Sequence, residues 1–265
     1  MTSPVSAPVV MTLAGNDPSG GAGIQADIEA IVSMGCHAAP VITTVTVQDT
    51  QNVKEMIPLS PGLVAAQARA VLEDMPVAAI KIGLLGSVEI AEVAHTLLTD
   101  YPRIPVVLDP ILAAGGGTEL ITDELIDVLR TLLVPMTTVL TPNSIEARRL
   151  APEADSLEAC AMALLDRDCE LVLITGTHEH SPQVLNSLYG NYRLLESFTW
   201  ARLPGSYHGS GCTLASAIAS LIAQGQDYLS AIRQAQEYTW ETLRSGYRIG
   251  MGQLIPNRLF WAGKW

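Results

Sequence analysis

Cysteine is scarce and scattered. Cys36, Cys160, Cys169 and Cys212 form no CxxC pair and fall short of the density of a disulfide scaffold, so reduced thiols are expected. Basic residues are also few, 15 Lys and Arg against 27 Asp and Glu, and the net charge of −12 has the wrong sign for a protein that neutralises nucleic-acid phosphates or leans on anionic lipid. No run approaches the ~20 consecutive apolar residues that span a bilayer. Residues 1–10 lack the basic run and apolar stretch of a secretory signal. A cytoplasmic protein with no nucleic-acid and no membrane partner is the expectation. What is present in quantity is apolar side chain, 48% against 16% charged, too rich for intrinsic disorder. No Pro/Gly/Ser linker, internal repeat or low-complexity boundary interrupts it, so one domain over 1–265 is expected.

The apolar residues are arranged in alternating patterns. Val9 to Gly15 reads as a strand, and Ile24, Ile28, Ile31 and Val32 mark a helix after an intervening loop. Pro40 to Gln48 is β-branched and strand-like, and Ser60-Pro61 offers an N-cap and first-turn proline for a helix reaching Asp74. Further buried strands are predicted at Ala78–Ile82, Ile104–Leu108, Thr137–Leu140 and Leu171–Ile174, with helices near 87–99, 122–133, 144–150 and 156–167. Repeated βα units imply a mostly parallel sheet covered on both faces. Between Gln183 and Trp200 two strand-like runs flank Gly190-Asn191, which predicts an antiparallel hairpin at one side of the sheet. Two helices follow: Thr213 to Ala223, rich in small residues, and one with a face at Leu229, Ile232, Ala235, Thr239, Trp240 and Leu243.

Two glycine-rich segments lie where strands give way to helices, where free N–H groups and the helix dipole favour anions. The first, Gly15-Asn16-Asp17-Pro18-Ser19-Gly20-Gly21-Ala22-Gly23, lacks the lysine and hydroxyl pair of a Walker A loop. Gly21 to Ala26 matches G-x-G-x-x-A, and Asp49 lies roughly where a ribose-binding carboxylate would, so a dinucleotide site is a rival. Against it, Asp17-Pro18-Ser19 separates the glycines from the strand, where a Rossmann turn is tight. The second, His208-Gly209-Ser210-Gly211-Cys212-Thr213, places a thiol at a helix start, where the dipole is expected to depress its pKa and the glycine backbone can face developing negative charge. The same segment also reads as a turn before a small buried cysteine. Elsewhere, Asn143 and Glu146 have capping-box spacing, Asp109 before proline suits a turn, Gln48 can cap a strand end, and Asp27 can be a solvated helical carboxylate. His178-Glu179-His180 lacks HExxH spacing and reads as a polar loop.

In order along the chain, the first loop through Asp27, Val41 to Thr50, Lys81-Ile82-Gly83-Leu84, Leu108-Asp109-Pro110, Thr141-Pro142-Asn143 through Glu146, and His208 through Thr213 together resemble the hydroxymethylpyrimidine/phosphomethylpyrimidine kinases of thiamine biosynthesis, within the ribokinase-like superfamily. The resemblance implies a three-layer α/β ribokinase-like fold with a mostly parallel central sheet, ATP as donor, Mg2+, a pyrimidine alcohol or its monophosphate as acceptor, and a homodimer. It implies that Cys212 is the base or proton acceptor, with Gly209, Ser210 and Gly211 as the anion hole. Gly15, Asp27, Gln48 and Leu84 become acceptor-site residues, Gln48 reading the ring edge through its amide. Asn143, Glu146, Thr175 and His208 fall to the nucleotide, and Asp109 and Glu146 to magnesium.

The chain departs from that pattern in several places. Ala114-Gly115-Gly116-Gly117 stands where Ala-Lys-Ser-Gly is usual, and Thr175-Gly176-Thr177-His178 where Lys-Gly-Gly-His is usual. Leu84 replaces a common methionine, and Tyr207 precedes His208 where a smaller residue is usual. Two absent cations in an acidic protein predict that the first phosphoryl transfer survives better than transfer to a monophosphate. A pyridoxal kinase and a non-catalytic pyrimidine-binding protein are the alternatives.

Overall fold

The computed structural model describes residues 7–113 and 120–263. Nine strands form one continuous sheet in the order β3-β2-β1-β4-β5-β6-β7-β8-β9. These are β1 (Val9–Asn16), β2 (His37–Gln48), β3 (Val53–Pro58), β4 (Val77–Ile82), β5 (Val106–Leu108), β6 (Val139–Leu140), β7 (Leu171–Ile174), β8 (Gln183–Gly190) and β9 (Arg193–Ala201). The six strands from β2 to β7 pair in parallel, and β3 and the β8–β9 hairpin add antiparallel strands at the two edges. The helices are α1 (Gly23–Ser33), α2 (Pro61–Asp74), α3 (Val88–Asp100), α4 (Asp123–Val128), α5 (Ser144–Leu150), α6 (Leu157–Leu165), α7 (Ser210–Ala223) and α8 (Tyr228–Arg244).

Successive strand residues point to opposite faces, and both faces here are buried. Met11, Leu13, Ile80, Ile82, Val106, Leu108, Leu140, Val172 and Ile174 join the core beneath α2 to α6. Val10, Ala79, Val107, Val139, Leu171 and Leu173 join the core beneath α1, α7 and α8. This is the expected three-layer sandwich. Helix α7 is its central strut: residues Cys212 to Ile222 are all buried, and its Ala and Ser side chains let it lie against α1, α8 and the sheet at once.

Four details depart from the sequence reading. The helix expected over 122–133 breaks into α4, a π turn (Leu129–Leu133) and a 3-10 turn (Val134–Met136), because Pro135 has no N–H for the ladder. The hairpin turns on Asn191-Tyr192, both at positive φ (50° and 56°), while Gly190 is the last paired residue, opposite Arg193. Ser60 precedes α2 without a side-chain cap; Pro61 alone sets that start. Strand β3 was not foreseen, since its exposed Lys54 and Glu55 break any apolar run.

The strand order reverses at β1: β2 lies on one side and β4 on the other. In an open α/β sheet the crevice outside the carboxyl ends at such a reversal is where ligands bind.

Candidate active site

A cavity of about 730 Å³ opens at those carboxyl ends. The ends of β1 (Gly15, Asn16), β2 (Thr46, Gln48) and the turn after β4 (Leu84) wall one side, and the segments after β6 and β7 (Asn143, Glu146, Thr175, Thr177) wall the other. Gly209 to Cys212 line it too. Gly15 keeps this corner open: a Cβ there would sit 3.2 Å from the Leu84 side chain, a tight contact. Gln48 is held by Thr46 and by His208, whose Nε2 lies 2.8 Å from the amide of Gln48 and 2.8 Å from Asp17 Oδ2.

Helix α7 begins abruptly. Gly209 is its N-cap at φ 81°, and a Cβ there would stand 2.0 Å from the Gly21 carbonyl, so the two glycine loops touch through a position only glycine can occupy. Gly211 plays a second part, since its missing Cβ would meet the Asp109 carboxylate at 3.4 Å. A helix N-terminus thus faces a buried acid. The Cys212 thiol lies beside that acid, but its pKa moves opposite to the expectation. Burial pushes it up to about 12, with the Asp109 and Asp27 charges adding to the rise and Lys81 opposing it. The helix dipole does not prevail, and the group is a thiol at neutral pH.

Asp109 is raised by burial to about 6, and its Oδ2 has no hydrogen-bond partner. Glu146 is pushed up to about 8, first by burial and then by the charge of Asp109. Its spacing from Asn143 does form a capping box: Asn143 Oδ1 accepts from the N–H of Ile145 and Glu146 (2.9 and 3.0 Å), and Glu146 Oε2 accepts from the N–H of Asn143 (2.9 Å). Two carboxyls, one with an orphaned buried oxygen, suit a hard cation that keeps waters and phosphate oxygens as its other ligands. Among the described residues no cluster of three His, Cys, Asp or Glu could cage a metal alone.

Asp27 does not reach the cavity. It is fully buried, 2.8 and 3.0 Å from Lys81 Nζ, and accepts from Thr12 (2.6 Å) and Ser216 (2.8 Å), which ties α1 and α7 to the sheet. Its place in the acceptor pocket is therefore corrected to one beneath the site. His208, expected at the nucleotide, is joined to Gln48 and Asp17. Asp49 caps an exposed turn through Gln51 and Asn52 and pairs with Lys54, so the dinucleotide reading loses its carboxylate. Thr175 lies on the cavity wall, bridged to Asn143. The Ala114–Gly117 departure lies outside the described residues.

Three site residues escaped the sequence reading. Asp17 gathers the first loop by accepting from the N–H of Ser19 and Ala22 (both 2.8 Å). Arg258, 1% exposed, bonds Thr213 Oγ1 (2.8 Å), Glu29 (3.1 Å) and the Gly21 carbonyl, clamping the two glycine loops together. Arg202 lines the cavity and spends its donors on the carbonyls of Thr177, Glu179 and Ser181 (2.8, 2.9 and 3.0 Å). An Asp-Pro turn hinted at the first. Nothing local marks the other two.

The sheet order, the glycine-capped α7 and the paired acids at the strand ends define a class, the small-molecule kinases of ribokinase-like fold. Similarity in shape agrees. Bacillus subtilis pyridoxal kinase, solved as an ADP complex, superposes with a TM-score of 0.89 at 26% identity over 97% of this chain and 99% of that one. Clostridium difficile phosphomethylpyrimidine kinase does so at 0.77 and 30% identity, over 89% of this chain and 99% of its own. Residues 17–257 match the model of the phosphomethylpyrimidine kinase family, and the chain belongs to that family. A hydroxymethylpyrimidine/phosphomethylpyrimidine kinase of Mycobacterium tuberculosis is 38% identical over 259 residues, 96% of this chain and 94% of the relative. A bifunctional thiamine biosynthesis protein of Geobacter sulfurreducens is 35% identical over 94% of this chain, which spans 52% of that relative's length.

Proposed function

We propose that residues 1–265 act as one kinase domain that transfers the terminal phosphoryl group of ATP to 4-amino-5-hydroxymethyl-2-methylpyrimidine and, less efficiently, to the monophosphate so formed, in thiamine biosynthesis. The observation that carries this reading is that the one cavity holds the ring-reading wall (Gly15, Gln48, Leu84), the phosphate-side wall (Asn143, Glu146, Thr175) and Gly209 to Cys212.

The chemistry follows from the residues. An alcohol is a weak nucleophile at neutral pH, and its proton must leave as the O–P bond forms. Cys212 is the residue we assign to receive that proton. Since burial keeps the sulfur protonated, it does so only as its own proton passes on, and the Asp109 carboxyl lies beside it. The N–H groups of Ser210, Gly211 and Cys212, at the open start of α7, point their positive ends at the charge gathering on the migrating group. Glu146 would hold Mg2+, with Asp109 contacting it only through water and so free to take the relayed proton; the ion would supply neutralising charge at the triphosphate.

The deciding experiment is product analysis with MgATP and three acceptors, the hydroxymethylpyrimidine, its monophosphate and pyridoxal. Transfer in that order of efficiency is expected, and no transfer to the pyrimidine, or equal efficiency on alcohol and monophosphate, overturns the reading. Pyridoxal as the true acceptor is the second reading, favoured by the 0.89 likeness to the Bacillus subtilis enzyme. Tight pyrimidine binding without turnover marks a non-catalytic relative. The homodimer is tested by sedimentation.

A further inference from the structure

With its nitrogen toward His208, the Gln48 amide creates two conflicts. The first is at His208, whose Nε2 lies 2.8 Å from both Asp17 Oδ2 and the amide. A ring nitrogen carries a proton or a lone pair, not both. Asp17 is an acceptor, already taking the N–H groups of Ser19 and Ala22 and the Ser19 hydroxyl. Burial opposes its charge, but the bonds from His208 and Ser19 outweigh it and hold its carboxyl below the ordinary range. Nε2 must therefore donate, and the Gln48 atom facing it must accept.

The second conflict is at Thr46, whose hydroxyl lies 2.9 Å from the Asn16 carbonyl and 3.1 Å from the other amide atom of Gln48. A hydroxyl has one proton, and a carbonyl can only accept, so the proton goes to Asn16. The Gln48 atom facing Thr46 must then be a donor. A single half-turn of the amide, oxygen to His208 and nitrogen to Thr46, resolves both conflicts.

We propose that the Asp17–His208 couple fixes the Gln48 amide in this sense, and that the fixed sense makes the site select an aminopyrimidine edge over the edge of pyridoxal. This rests on the acceptor reading given above. The amide keeps one lone pair on oxygen and one N–H for a ligand. Beside its hydroxymethyl group the pyrimidine offers an amino donor and then a ring-nitrogen acceptor. Pyridoxal offers an aldehyde oxygen, which can only accept and so meets the Gln48 oxygen without a proton between them, and then a phenolic oxygen that can donate or accept. A glutamine free to turn over reads either edge; one held at both ends reads only one. Asp17 belongs to the first glycine loop and His208 to the second, so the same contact that joins the loops sets the selectivity. Asp17 and His208 are positioning residues, acting through Gln48.

The test is kcat/KM for both acceptors with MgATP in the wild type, His208→Asn, which has no atom at the Nε2 position, and His208→Gln, which restores a donor there. The ratio of pyrimidine to pyridoxal is expected to fall about tenfold in His208→Asn, the size of one hydrogen bond, through KM, and to recover in His208→Gln. A purely structural role lowers both acceptors alike, and an unchanged ratio overturns the proposal. NMR of the wild type needs no variant to fold: contacts from the Gln48 side-chain NH2 protons to Thr46 are expected, and contacts to the His208 ring protons instead overturn it. That measurement stands even if the pyrimidine proves not to be the acceptor.

Discussion

Glu146 carries the most direct electrostatic prediction. Its carboxyl is buried beside Asp109 and held at about 8, against 4.5 for the free group. Between about pH 5 and 8 the unfolded chain has shed this proton while the folded chain keeps it, so the folded state binds more protons across the window. Stability is greatest below the unfolded pKa and declines as pH rises through the folded one. Asp109, raised to about 6, acts in the same direction. Taken in full, the Glu146 shift is worth about 5 kcal/mol. Part of it is the charge of Asp109, and we expect about 2–3 kcal/mol to be read, on the order of 5–10 °C in Tm for a chain of this length. The assay is chemical and thermal denaturation from about pH 5.5 to 8.5 in chelator at constant ionic strength. Glu146→Gln should flatten most of the slope while keeping the capping box, which glutamine also completes. Magnesium should stabilise the wild type more at the alkaline end, where the acids are ready to ionise. Parallel slopes in wild type and variant would refute the reasoning.

Cys212→Ala should lower turnover by about 10²-fold or more while acceptor KM stays nearly constant, read from steady-state kinetics, because the thiol is used as the O–H bond breaks. Lys81→Met strands the Asp27 carboxylate in the core and should cost about 3–5 kcal/mol in urea unfolding, whereas Lys81→Met with Asp27→Leu should recover most of it; equal losses in both would show that the pair's charge is not what matters. Gly209→Ala forces a Cβ against the Gly21 carbonyl at a left-handed position, and the expected loss is about 1–3 kcal/mol together with most of the activity, followed by melting and turnover.

The layered fold was legible because its signals are local. Residues 144–150 and 171–174 were bounded as found, since caps and unbroken apolar runs mark them. What failed depended on tertiary balance. The π and 3-10 turns leading into Pro135 cut short a helix expected to reach 133, and an exposed edge strand has no buried face to impose alternation. At the site, Gly15, Gln48, Leu84, Asn143, Glu146, Thr175 and Gly209 to Cys212 were named and do line one cavity. Asp27 was misplaced for want of its partner. A lysine inside the apolar run Val77-Ala78-Ala79-Ile80-Lys81-Ile82 demands a buried anion, and that demand is the available clue. The direction of the Cys212 shift could not be read, because the sequence offers both a helix-start thiol and a buried small cysteine and does not weigh the dipole against burial.

An acidic protein that handles phosphates must solve a local problem that its net charge only worsens. Lysine is absent at Thr175, and the acids Asp17, Asp109 and Glu146 line the same cavity. The positive elements on its wall are of a different kind: the open N-terminus of α7, whose partial charge cannot titrate, and arginines at 149 and 202. Arg202 is occupied by three loop carbonyls, so its charge reaches the cavity while its donors hold the 177–181 segment in place. Such a set suits a charge that appears at one fixed point better than one that must be gripped wherever it lies. It therefore favours a phosphoryl group migrating past the α7 N-terminus, as proposed, over a phosphate already carried by the acceptor. The weaker second transfer proposed above would then follow from the placement of positive charge as much as from its amount.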